Sequence, residues 1–150
     1  IHQNLSRATG FTPLLKVENH HNFAWKEMVD GRELIVHRKG ATPAKKSELG
    51  IIPGSMIHKG YLVSGHGIDL ALNSASHGAG RAMSRVRAKN ANTVSDMKKL
   101  LAANLVTLIG GSTEEAPGAY KDIEQVMFAQ KELLQIEGIF QPRIVRMNKE

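Results

Sequence analysis

Leu49-Gly50-Ile51-Ile52-Pro53-Gly54-Ser55-Met56-Ile57-His58-Lys59-Gly60-Tyr61-Leu62-Val63-Ser64-Gly65 is the stretch that decides the fold class. Two short apolar runs, Ile51-Ile52 and Tyr61-Leu62-Val63, stand apart, and each ends in Pro, Ser or Gly. Neither run is long enough for a helix, and both are bounded by residues that bend the chain, so the pattern predicts short strands holding loops. The same glycine punctuation runs from Gly40 to Gly80. On the N-terminal side, Val29-Asp30-Gly31 reads as a turn into a strand Glu33-Leu34-Ile35-Val36 that delivers His37-Arg38-Lys39-Gly40, half of a hairpin.

The last third carries a different period. Thr93 with Asp96 three residues on forms a capping box, followed by Met97, Leu100, Leu101 and Leu105 at helical spacing. Asp122 with Gln125 makes a second box, and Val126, Met127, Leu133 and Leu134 predict one face of a helix that stops near Gly138. A closing strand is expected at Ile144-Val145-Arg146-Met147. Strands and helices that do not alternate, joined by glycine loops, predict an α+β fold.

Composition narrows the function. The 150 residues are 41% hydrophobic and 23% charged, as expected of one folded domain. The chain has no Cys, which excludes disulfides and thiolate metal sites and agrees with a reducing, cytoplasmic setting. No apolar run reaches the ~18 residues of a membrane span, so no membrane partner is expected. The first residue is Ile rather than Met, the reading expected of a fragment or a processed product.

Between His37 and Lys99 lie eleven basic residues against Glu48, Asp69 and Asp96, a net charge of +8, and six of the seven His fall between His20 and His77. A polyanionic partner fits this half, as does a solvated basic face. Within it, Ser76-His77-Gly78-Ala79-Gly80-Arg81 places an imidazole before a glycine turn. The spacing of Arg81, Arg85 and Lys89 predicts a helix starting just after His77, whose N–H groups would form an anion pocket. His77 is then either a nucleophile at that pocket or an incidental cap. Pro53-Gly54-Ser55-Met56 offers a hydroxyl and backbone N–H groups. His37-Arg38-Lys39-Gly40-Ala41-Thr42 sets cations beside glycine. In Asn19-His20-His21-Asn22 the adjacent imidazoles project to different sides of the chain.

Taken in this order, the four elements resemble the RtcB family of RNA ligases, and Glu115-Ala116-Pro117-Gly118-Ala119-Tyr120-Lys121 is similar to that family as well. The resemblance runs from about residue 14 to 135. It implies that residues 1–150 are the C-terminal portion of an RtcB chain, a single domain incomplete by itself. It implies an activity that joins RNA 2′,3′-cyclic phosphate or 3′-phosphate ends to 5′-hydroxyl ends through a histidine–GMP intermediate, with GTP as GMP donor and manganese as cofactor. RNA, as tRNA halves or damaged ends, is the implied partner.

Carried over residue by residue, the resemblance makes His77 the nucleophile and His21 a manganese ligand. Asn22, Pro53, Gly54, Ser55, Met56, Gly78, Ala79, Gly80 and Tyr120 become nucleotide-binding residues, and Lys149 stands near the place of the family's C-terminal Lys. Arg38 and Lys39 would add positive charge near the phosphates. Where the family continues Gly-Ser-Met with a further Gly and a Ser before Tyr, this chain has Ile57-His58-Lys59-Gly60-Tyr61. The family's other metal ligands, a Cys, an Asp and further His, belong to its N-terminal part. Two alternatives remain at this point: a relative that binds guanine nucleotide or RNA without ligating, and a metal-dependent phosphohydrolase.

Overall fold

A computed structural model describes residues 2–147; Lys149 lies outside the described residues. The fold is α+β. After helix α1 (His2–Thr9), strands β1 (Asn22–Val29) and β2 (Arg32–Lys39) form an antiparallel hairpin. Its turn, Asp30-Gly31, takes φ of 48° and 75° at the two positions, the mirror-image turn whose twist suits a two-residue hairpin. The turn and strand expected there are both present.

The glycine-punctuated stretch forms β3 (Ala41–Pro43), β4 (Leu49–Ile52), β5 (Gly60–Gly65) and β6 (Ser74–Ser76). β3 pairs with β6, and β4 pairs with β5, so both apolar runs of the opening stretch lie in one hairpin. The main core gathers on it: Ile52, Tyr61 and Val63 pack with Ala44, Ala75, Ala79, Ile123, Met127 and Leu134. Burial of these side chains is the chief force holding the loops against one another.

Beyond β6 the chain carries α2 (Arg85–Ala91), α3 (Val94–Ala103), β7 (Thr107–Ile109), α4 (Ile123–Ala129), β8 (Leu134–Phe140) and β9 (Ile144–Arg146). Both N-caps stand at their expected places, although Asp122 caps through Glu124 rather than through the expected partner Gln125. Thr93 Oγ1 accepts from the Asp96 N–H, and Asp122 accepts from the Glu124 N–H. The closing strand is present as β9, parallel to β7.

Two expectations are corrected. The helix after Asp122 stops at Ala129, and Leu134–Phe140 is a strand that pairs with β5 rather than a continuation to Gly138. Gln130 ends the helix: it is buried, and its Oε1 accepts the Ser76 N–H at 2.9 Å. The helix expected just after His77 begins instead at Arg85, capped by Ser84. Residues 80–82 are pinned to 119–121, with Ala82 N–H on Ala119 C=O at 2.8 Å and Lys121 N–H on Gly80 C=O at 3.0 Å. Gly80, at φ 70°, makes the bend that this pairing needs. No helix among the described residues is long and apolar enough to cross a membrane.

Candidate active site

Four connections converge on one cleft of about 960 Å³, within the size range of small-molecule sites. The start of β1 contributes His21 and Asn22, the end of β2 contributes Lys39 and Gly40, the β4–β5 loop contributes Pro53 to Met56, and the segment after β6 contributes His77 to Arg81. Tyr120 faces them. Every described residue given a nucleophile, metal or nucleotide role above lines this cleft, and Lys39 joins them, so that five separate stretches of sequence meet there, whereas Arg38 does not line it.

His77 lines the cleft. Its backbone N–H reaches Gly40 C=O at 3.3 Å, which fixes the segment after β6 against the corner between β2 and β3. The His21 and His77 rings stack with centroids 4.8 Å apart and planes 15° apart. His77 Nδ1 is buried and has no hydrogen-bond partner, so Nε2 is the ring nitrogen left for a reactant. The stacked pair also borders a second, smaller cavity of about 400 Å³ lined by Val17, Asn19, Ile51 and Pro53.

His20 and His21 do diverge: His20 lies beside Phe23, with centroids 5.5 Å apart, and His21 turns to His77. Asn19 anchors both. Its Oδ1 accepts the Ile51 N–H at 2.8 Å, and its Nδ2 donates to Thr42 Oγ1 at 3.0 Å. This tie to β3 and β4 was not read from the sequence, where Asn19 is one polar residue among four.

The expected charge at the end of β2 is halved. Lys39 lines the cleft, but Arg38 is 2% exposed and its guanidinium is fully engaged elsewhere. It forms a two-pronged pair with Glu27 at 2.9 Å on each prong, donates to Ser74 Oγ and Leu72 C=O at 2.8 Å, and lies 5.0 Å over the Trp25 ring. Strand alternation explains this, because Val36 and Arg38 point inward while His37 and Lys39 point out. The Arg38 hydrogen bonds and positive charge hold the Glu27 carboxyl below its ordinary pKa, against the opposing effect of burial. Arg38 is a strut beneath the site rather than a phosphate contact.

A second ionic cluster, unassigned in the sequence reading, closes the other wall. Glu115 accepts from Arg81 at 3.2 Å and from the Tyr120 hydroxyl, and Arg85 Nε stands 3.8 Å away. Arg81 also donates to Glu114 C=O at 2.6 Å and lies over the Tyr120 ring at 5.3 Å. Burial, reinforced by the bond to Glu115, pushes the Tyr120 phenol up to about 12. Tyr120 is thus a neutral aromatic wall, oriented before any ligand arrives. Glu115 sits in an acidic pair five residues before Tyr120, a spacing with no helical or strand meaning, so only the fold shows its role.

A family model described as tRNA-splicing ligase RtcB matches residues 2–147. The chain belongs to the RtcB family. Among its relatives, RNA-splicing ligase RtcB of Escherichia coli K12 is 42% identical over 81% of this chain and 30% of the relative. The tRNA-splicing ligase RtcB of Nanoarchaeum equitans is 40% identical over 75% of this chain and 28% of the relative. RNA-splicing ligase RtcB of Mycobacterium tuberculosis is 37% identical, over 81% and 33% respectively. The chain therefore spans about a third or less of the length of these RtcB relatives. Among the described residues, no three His, Cys, Asp or Glu side chains converge as a metal site. His21 offers one exposed imidazole of the right kind, and other donors would have to come from elsewhere.

Proposed function

We propose that this chain is the nucleotide-binding, C-terminal portion of a cytoplasmic RNA ligase that joins 2′,3′-cyclic phosphate or 3′-phosphate ends to 5′-hydroxyl ends, with His77 as the residue that carries GMP. The observation that supports it most is the convergence of His77, His21 and the loop residues 53–56 and 78–80 on one cleft of nucleotide size. In the first step His77 Nε2 attacks the α-phosphorus of GTP. The N–P bond forms as the bond to the bridging oxygen breaks, and pyrophosphate leaves with that oxygen. Attack needs a free electron pair on Nε2, so the ring proton must be on Nδ1, the buried atom that has no hydrogen-bond partner.

The remaining roles follow from position. Lys39 supplies charge at the mouth beside His77. Backbone at Gly78, Ala79 and Gly80 approaches the nucleotide closely because two of the three positions carry no side chain. Tyr120 and Met56 provide apolar walls for a base or sugar. Manganese, held by His21 together with donors outside residues 1–150, would neutralise phosphate charge and orient the triphosphate. The incomplete donor set is the specific observation in favour of a second reading, in which this segment by itself only binds guanine nucleotide reversibly.

The test is labelling of the complete polypeptide with GTP radiolabelled at the α-phosphate, in the presence of manganese. An acid-labile adduct on His77, abolished in His77→Ala, is expected, since a phosphoramidate hydrolyses in acid. The 150-residue chain alone should form none, and should recover labelling when supplied with an RtcB-type N-terminal portion. An adduct on His21 or His37, with His77→Ala still labelled, overturns the assignment of the nucleophile.

A further inference from the structure

After Met56 the β4–β5 loop runs Ile57-His58-Lys59-Gly60, and it brings a histidine onto Ser55. Ser55 is 8% exposed and lines the cleft, whereas His58 stands behind it. Ser55 Oγ and His58 Nδ1 are 2.6 Å apart. The backbone fixes this pair, since His58 N–H donates to Ser55 C=O at 3.2 Å and Gly54 N–H to Lys59 C=O at 3.1 Å. A Cβ on Gly54 would come within 2.5 Å of that Lys59 oxygen and 2.9 Å of His58 Cβ, so the turn closes only around glycine. Lys59 is drawn away to Glu124 at 2.7 Å, which leaves the imidazole as the polar partner of the Ser55 hydroxyl.

A serine hydroxyl has one proton and two lone pairs, and it presents to a ligand whatever its partner leaves free. In the tautomer that carries its proton on Nε2, the His58 imidazole has a lone pair on Nδ1 and accepts the hydrogen bond that the Ser55 hydroxyl donates. The oxygen then faces the cleft as an acceptor alone, made more electron-rich by the bond it donates. We propose that His58 is a positioning residue that makes Ser55 an acceptor-only contact, selecting N–H or O–H groups on the nucleoside part of the ligand rather than its phosphate oxygens. This rests on the nucleotide reading of the cleft and adds to it a recognition polarity set by a residue outside the cleft wall.

The experiment measures GMP dissociation constants, and displacement of GMP by pyrophosphate, for the complete polypeptide and its variants. Ser55→Ala and His58→Ala should each weaken GMP binding about tenfold, the usual cost of losing one buried hydrogen bond. The double variant should be no weaker than either single one, because the two side chains act as one unit. His58→Asn, which returns an acceptor near the position of Nδ1, should restore binding to within about twofold, a rescue that mere filling of space by the ring would not give. Pyrophosphate's own affinity should stay the same throughout. Additive losses in the double variant, or loss of pyrophosphate affinity in the single ones, overturn this inference while leaving the nucleotide site intact. A wild-type polypeptide that fails to bind GMP at all overturns both.

Discussion

At its root the β1–β2 hairpin pairs Asn22 with Lys39 and Phe23 with Arg38; at its tip it pairs Met28 with Glu33 and Val29 with Arg32. The antiparallel register is unbroken from end to end. What differs is the company of the side chains. The root has a buried guanidinium bound to a carboxylate, a hydroxyl, a carbonyl and an aromatic face. The tip exposes Met28 and Ile35, 68% and 65% accessible, and its ion pair, Lys26 with Glu33 at 3.3 Å, is open to water. Backbone pairing thus makes the hairpin, and the Arg38 strut turns one end into a platform. That end carries His21, Asn22 and Lys39 onto the cleft.

The largest effect should come from breaking the strut. Arg38→Met removes the fork and leaves Glu27 buried, with only the more exposed Lys45 at 3.4 Å. An uncompensated buried charge costs about 3–5 kcal/mol, readable as a lower urea midpoint. Arg38→Lys should recover little, since an ammonium cannot make the two-pronged pair. Adding Glu27→Gln to Arg38→Met should recover more, because the stranded charge is then gone. If that double variant is no better than the single one, the strut owes its stability to shape rather than charge.

Acid sharpens the same contrast with a smaller effect. The Glu27 carboxyl is held below its ordinary value of 4.5 by Arg38. A carboxylate with a depressed folded-state pKa contributes its full stabilisation above the unfolded pKa and loses it as pH falls through the folded one. Wild type should therefore lose stability below about pH 4.5 more steeply than Glu27→Gln. Equal slopes in denaturation followed across pH 3 to 6 would show that Glu27 does not carry that acid sensitivity.

The same division between local and distant partners decides what was legible in the sequence. Thr93 and Asp122 cap their helices through neighbours two or three residues away, and both were readable. The turn at Asp30-Gly31 was readable for the same reason. The non-helical course after His77 is not legible locally, because the groups that tie down residues 80–82 are residues 119–121. The sequence pattern carries the helix on to near Gly138, across most of β8, since the strand's partner, β5, lies about seventy positions earlier. The cleft residues were gathered by their resemblance to a family, and no spacing among them predicts a common wall. Arg38 shows the limit most plainly: its strand was legible, but which face of that strand points inward depends on Glu27, Ser74 and Leu72.

The smallest effect belongs to the tip. Ile35→Thr keeps a β-branched side chain at an exposed strand position, so the strand preference is retained and little buried area is lost. The expected change in stability is within about 0.5 kcal/mol, with the His21 and His77 ring resonances unmoved. Ile35 stands opposite Lys26, three positions along the ladder from the Phe23–Arg38 pair, so little of a tip substitution should reach the root. A loss comparable to that of Arg38→Met would mean that the tip's apolar face is buried against another surface in solution. Concentration-dependent unfolding would then distinguish a second copy of the chain from a segment of the same polypeptide, because only the former responds to dilution.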